Sequence, residues 1–234
     1  MNWHIGTSGY SYPAWKGSFY PEKLPAKGML SYYAEHFDSV EINGSFRKLP
    51  DEESIVAWTK QTPATFRFVL KAPQRITHIR RLRDVDSELK ALADCVSQLK
   101  QRQAPVLFQL PPNFKKDLPR LEVFLKLVGK SLQAAFEFRQ ESWLDDETYA
   151  LLRKHRAALV VADAKELPAT ELVRTADWGY LRLRREKYTD AALKKWVARI
   201  AAMKWKDVYV FFKHEDTGTG PKLAKRLSAL VSKK

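Results

Sequence analysis

The sequence predicts a (β/α)8 barrel, and three observations lead there. Eight short apolar runs alternate with longer amphipathic ones along 234 residues, the pattern of successive βαβ units around a parallel sheet. About 29 residues per unit fits the ~250-residue scale of such barrels. An open doubly wound sheet is the alternative, and it would carry a Gly-rich fingerprint after an early strand. GTSGY (residues 6–10) is not one, because strand-like sequence and not a helix start follows it. No linker, composition break or repeat divides the chain, so one domain over residues 1–234 is expected.

The elements are read in order. Strands are expected at WHIGTS (3–8), SVEIN (39–43), FRFVLK (66–71), PVLFQL (105–110), AAFEFR (134–139), ALVVAD (158–163), GYLRLR (179–184) and DVYVFFK (207–213). Each is short, β-branched or aromatic, and bounded by polar text. Helical patterns follow most of them. KGMLSYYAEHF comes after the first strand and a long loop. DEESIVAWTKQ opens on Asp51, a plausible N-cap just after Pro50. DVDSELKALADCVSQLKQR is the longest, and DLPRLEVFLKLVG tolerates Pro119 in its first turn. DDETYALLRKH, TDAALKKWVARIAAM and GPKLAKRLSALVS complete the set. The sixth connection, AKELPATELVRTAD, has weak periodicity and predicts one or two turns at most.

Composition narrows the function. Lys and Arg total 41 against 27 acids, a formal charge of +14, which points to an anionic partner: a small phosphorylated molecule or nucleic acid. The single cysteine, Cys95, excludes an internal disulfide and sits in a helical pattern as a buried thiol. No signal peptide or membrane-length apolar run is read, so a cytoplasmic location away from membranes is expected.

In such barrels the chemistry sits where the strands end, because eight loops converge there. The strand ends read here are Thr7 and Ser8, Glu41 and Asn43, Lys71, Gln109, Glu137 and Arg139, Asp163, Arg182 and Arg184, then Lys213 and His214. Side chains at i and i+2 share a face of a strand. In FEFR, Phe136 and Phe138 therefore face the helices while Glu137 and Arg139 face the axis. A buried lone charge is costly, so these groups must pair, or meet water or a ligand.

The blocks GTSGYSYPAW with FYP, LSYYAEHFDSVEINGSF, FVLKAP with ITH, PVLFQLPPNF, FEFRQESW and YLRLR together resemble the YecE-like family, a domain of unknown function. The match runs along almost the whole chain. It implies a TIM-type barrel and no particular activity. It also marks Gly6, Thr7, Ser8, Gly9, Tyr12, Trp15, Glu41, Asn43, Phe46, Lys71, Thr77, His78, Gln109, Pro111, Pro112, Glu137, Arg139, Trp143, Asp163 and Arg182. The chain departs from the family's pattern at Arg47, where relatives often have Tyr, and at KHED after the last strand.

Several chemistries fit. Arg182 and Arg184, with Gly218 and Gly220 before Pro221, suggest a phosphate-binding mouth. Glu41, Glu137 and Asp163 are the candidate general bases, and two of them could serve a sugar hydrolase. Arg139 and Lys71 nearby would depress their pKa values, which opposes that role. Lys71 could act as a neutral amine if desolvated, although neighbouring carboxylates predict a charged, paired lysine. Tyr12, Trp15 and Trp143 are candidate stacking surfaces, with His78 and His214 also near the mouth. The five histidines show no ligand spacing, so no zinc is expected and no metal or cofactor is assigned, with a weakly held Mg²⁺ on Glu and Asp left open. The preferred expectation is a hydrolase or lyase on a phosphorylated or nucleic-acid substrate. The alternatives are a carbohydrate-acting hydrolase and a non-catalytic nucleic-acid-binding protein.

Overall fold

The structure is a computed structural model that describes residues 1–129, 131–213 and 218–232. Eight parallel strands close a barrel in chain order. They are β1 Asn2–Ser8, β2 Ser39–Ile42, β3 Arg67–Lys71, β4 Gln103–Gln109, β5 Ala134–Glu137, β6 Ala158–Asp163, β7 Trp178–Leu183 and β8 Asp207–Phe212. Closure is made by β1 against β8, with His4 opposite Tyr209 and Thr7 opposite Phe212.

Seven α-helices are described: α1 Met29–Ala34, α2 Glu52–Gln61, α3 Asp86–Gln98, α4 Leu118–Val128, α5 Asp146–Lys154, α6 Asp190–Ala202 and α7 Thr219–Val231. Short polar side chains start four of them by accepting a bond from an otherwise orphaned backbone N–H. Asp51 accepts from Ser54 N (3.0 Å), Asp117 from Arg120 N (3.1 Å), Asp145 from Thr148 N (2.9 Å) and Thr189 from Ala192 N (3.2 Å). The link from β6 to β7 contains turns and no helix, as its weak periodicity predicts.

Strand alternation separates two cores. Outward residues such as Ile5, Val40, Phe68, Phe108, Phe136, Val161 and Phe212 pack under the helices. Inward residues Val69, Leu107, Ala135, Val160, Tyr180, Tyr209 and Phe211 fill the barrel. The interior is thus packed and apolar along most of its length. The buried ionic residues Glu41, Glu137 and Arg182 lie at the C-terminal strand ends, while Ser39 and His4 are polar inward residues nearer the other end. Cys95 is buried on α3, and burial pushes its thiol up to about 11, consistent with a packing role.

Candidate functional site

Parity carries Ser8, Glu41, Lys71, Gln109, Glu137 and Arg182 to one level at the top of the barrel. Arg182 is its centre. Its Nη2 donates to Glu41 Oε1 at 2.8 Å and its Nη1 to Glu137 Oε2 at 2.6 Å. All three side chains are fully buried or nearly so. Glu41 also accepts from Ser8 Oγ (2.7 Å), Tyr180 OH (2.6 Å) and Asn43 Nδ2 (3.3 Å). Glu137 accepts from Gln109 Nε2 (2.8 Å) and Arg139 Nε (2.9 Å). Burial works to raise both carboxyl pKa values, but the cations and hydrogen bonds around them win. Glu137 is held at about 2 and Glu41 below its usual range, with Arg182 the chief opposing influence on each. The opposite charges in FEFR therefore answer one another and Arg182.

A second layer lies above this sealed triad and is cationic. Arg139 and Arg184 are half-buried, and so is Lys71 at its edge. Among the described residues, Nε and Nη1 of Arg184 are buried without a hydrogen-bond partner. Burial and the neighbouring Arg182 both press against its charge. Lys71 Nζ donates to Gln109 Oε1 at 2.8 Å and sits 3.9 Å from the centre of the Phe46 ring. Contrary to the expected carboxylate pairing, its direct acceptor is an amide. Burial and then Arg182 bring this lysine down to about 8. His78 borders the same layer, with Nδ1 2.8 Å from Thr77 Oγ1. Burial and Lys71 lower it to about 4, so it is neutral near pH 7.

Several sequence-marked residues lie elsewhere. Asp163 has the parity of Leu159 and Val161 and faces the helix layer, not the axis. It accepts from Arg185 Nε (2.5 Å) and Tyr188 OH (2.8 Å), and Ala162 takes the inward place at this end of β6. Thr7 also points outward, its Oγ1 2.9 Å from Tyr33 OH on α1. Trp15 is 1% exposed inside an aromatic cluster with Tyr12, Phe19 and Tyr20. Trp143 is fully buried, stacks on Phe138 and donates to Phe114 O at 2.7 Å. Neither indole offers a face to a ligand. Tyr12 is half-buried and ties the first loop to Ser8 O at 2.8 Å. Gly220 is buried in the first turn of α7. Gly218 precedes that helix at φ +70°, and a Cβ there would lie 2.4 Å from Ser18 Oγ, so close packing explains this glycine without a ligand. His214 lies outside the described residues.

Sequence reading missed Tyr180 as part of the site, although it was legible, since it lies two residues before Arg182 on the same face of β7. Phe46 was marked by the family resemblance alone, because it comes from a loop whose path only the fold decides. Among the described residues no three His, Cys, Asp or Glu side chains cluster as metal ligands. No described helix is long and apolar enough to cross a membrane.

The comparisons agree with this architecture. A DUF72 family protein (TM1631) from Thermotoga maritima MSB8 superposes with a TM-score of 0.86 at 28% identity, covering 99% of this chain and 100% of that one. A DUF72 family protein (EF0366) from Enterococcus faecalis V583 shares the fold with a TM-score of 0.79 at 18% identity, covering 99% of this chain and 98% of that one. Among curated proteins, UPF0759 protein YunF of Bacillus subtilis (strain 168) is 32% identical over 154 residues, 62% of this chain and 54% of YunF. UPF0759 protein YecE of Escherichia coli (strain K12) is 32% identical over 137 residues, 58% of this chain and 48% of YecE. The matched segments span about half the length of these curated relatives. The family model described as "Protein of unknown function DUF72" matches residues 4–234, and on that match this chain belongs to the DUF72 family.

Proposed function

We propose that the barrel mouth binds a small anion-bearing ligand, carrying phosphate or carboxylate. The observation that carries this reading is the Arg184 guanidinium, whose Nε and Nη1 are buried without a hydrogen-bond partner among the described residues, beside Arg139 and above a sealed triad. Across the two layers four cations (Lys71, Arg139, Arg182, Arg184) meet two carboxylates (Glu41, Glu137), and both carboxylates are already bonded to Arg182. The upper layer is therefore left with an excess of positive charge, offset in part by Glu166 beside Arg184 and by the Arg139–Glu137 bond. Guanidinium forks suit the two oxygens of a phosphate or carboxylate.

The carbohydrate-hydrolase alternative fits less well. It needs a carboxyl group with a raised pKa as proton donor, and Glu41 and Glu137 are both pushed the other way. The same low pKa values make them weak general bases, so their role in this reading is to fix Arg182. A nucleic-acid partner would have to present one phosphate end to the mouth.

Thermal unfolding with sulfate or phosphate, against chloride at equal ionic strength, tests the reading. A ligand at 100 times its Kd stabilises by about 2.7 kcal/mol. Sulfate is expected to stabilise the parent chain, and Arg184→Gln is expected to lose that protection while its melting temperature without sulfate barely moves. Equal protection of both proteins would sink the proposal, since it would place the anion on the general basic surface.

A further inference from the structure

Lys71 is unlike the other cations of the mouth. Guanidinium groups stay charged at any ordinary pH, whereas an ammonium group can lose its proton. Among the described residues Lys71 Nζ has one hydrogen-bond acceptor, the neutral Gln109 Oε1, and lies over the face of the Phe46 ring, whose π electrons favour the charged amine. Gln109 cannot turn this acceptor away, because its Nε2 donates to Glu137 Oε1. The chain Lys71 to Gln109 to Glu137 therefore fixes the amide and holds the amine at the end of β3. The charged and titratable groups facing it are Glu41 from β2, Glu137 from β5, Arg139 just beyond β5, Arg182 from β7 and His78 from the turn after β3. Both carboxylates are bonded to Arg182, so neither holds the proton on Lys71 by direct contact.

We propose that Lys71 is an imine-forming amine and that the mouth accepts a carbonyl compound bearing a carboxylate or phosphate group. This rests on the anion-binding reading above. The free Nζ adds to the carbonyl carbon, and one proton passes from that nitrogen to the oxygen to give a carbinolamine. The proton first released by the ammonium group then returns to the same oxygen, which leaves as water and leaves a protonated imine. No electrons are gained or lost, and the ammonium and carbonyl together become the protonated imine and water. Arg139 and Arg184 hold the anionic group, and Lys71 reaches the carbonyl beside it. Burial and Arg182 bring the amine to about 8, against ~10.4 for an unperturbed lysine, so roughly 200-fold more of it is neutral at pH 7.

The test is reductive trapping of the intact protein with glyoxylate and cyanoborohydride, followed by peptide mapping. The reductant delivers hydride to the imine and leaves a stable carboxymethyl group on the reacting lysine. Lys71 is expected to label at least tenfold faster than any surface lysine, with a rate that rises through a midpoint near pH 8. Lys71→Arg should abolish the fast product. Propanal, a neutral aldehyde, should label Lys71 more slowly than glyoxylate, and Arg184→Gln should erase that difference. Labelling of Lys71 no faster than the surface lysines, while sulfate still protects the parent chain, overturns the amine and leaves the anion site standing. Fast labelling by both aldehydes alike overturns the substrate class and the anion site together.

Discussion

The two ends of the barrel axis are both cationic, but they hold their charge differently. At the C-terminal end Arg182 is buried between two carboxylates, with Arg139 and Lys71 hydrogen-bonded around it and Arg184 beside them. At the N-terminal end an open cleft of about 1000 Å³ is lined by Lys126, Arg153, Lys154, Arg156 and Arg174 over Trp178. Those five cations are all exposed. Lys126 and Lys154 share Glu122 at 3.4 and 2.6 Å, and Arg153 Nε donates to the Arg174 carbonyl at 3.2 Å. Exposed cations are screened by water and salt and cost little to hold. Size alone would select the lower cleft as the site. Burial selects the upper one, because there the fold has placed charges that need each other and, among the described residues, left guanidinium nitrogens of Arg182 and Arg184 unanswered.

Four outcomes break or sharpen that contrast. The largest is expected from Arg182→Met, which strands Glu41 and Glu137 in an apolar interior and should cost about 3–5 kcal/mol in urea unfolding. Adding Glu41→Gln and Glu137→Gln should recover most of the loss. If the single change is mild, the triad is not the buried network described. Acid comes next. The Glu137 pKa is depressed from 4.5 to about 2, so its stabilisation is present above pH 4.5 and fades as pH falls towards 2. Unfolding measured across that window should show a steeper decline in the parent chain than in Glu137→Gln. Trp143→Phe should cost about 1–3 kcal/mol by leaving the Phe114 carbonyl unsatisfied, with sulfate protection unchanged. Lost protection would return Trp143 to the mouth. The smallest effect is expected from Arg153, Arg156 and Arg174 changed together to Gln. Stability should move by no more than about 0.5 kcal/mol and sulfate should protect as before; lost protection would move the anion site to the other end.

Much of this was legible in the sequence, and the reason is local. The period-2 alternation in FEFR and YLRLR assigns Glu137, Arg139, Arg182 and Arg184 to the axis because a strand offers only two faces. The same rule, applied without knowing the phase of ALVVAD, puts Asp163 inside. That strand is apolar throughout, so its pattern gives no phase, and contact with the helices decided it. Trp15 and Trp143 were ambiguous for a related reason. An indole near a loop can pack or bind, and only the neighbours Phe19, Tyr20, Phe114 and Phe138 determine which.

The sequence by itself determined the eight-fold alternation, the Asp51 cap, the excess of cations and the polar strand ends, because each is written in residue type and spacing. Tertiary structure alone decided that Arg182 joins residues from β2 and β5, that Gln109 and not a carboxylate accepts the Lys71 hydrogen bond, and that Arg184 is left without a full set of partners among the described residues. Those facts depend on which strands meet across a closed axis. Charge pairing acts over a few ångströms of space, and spacing along the chain does not report that distance until the barrel has closed.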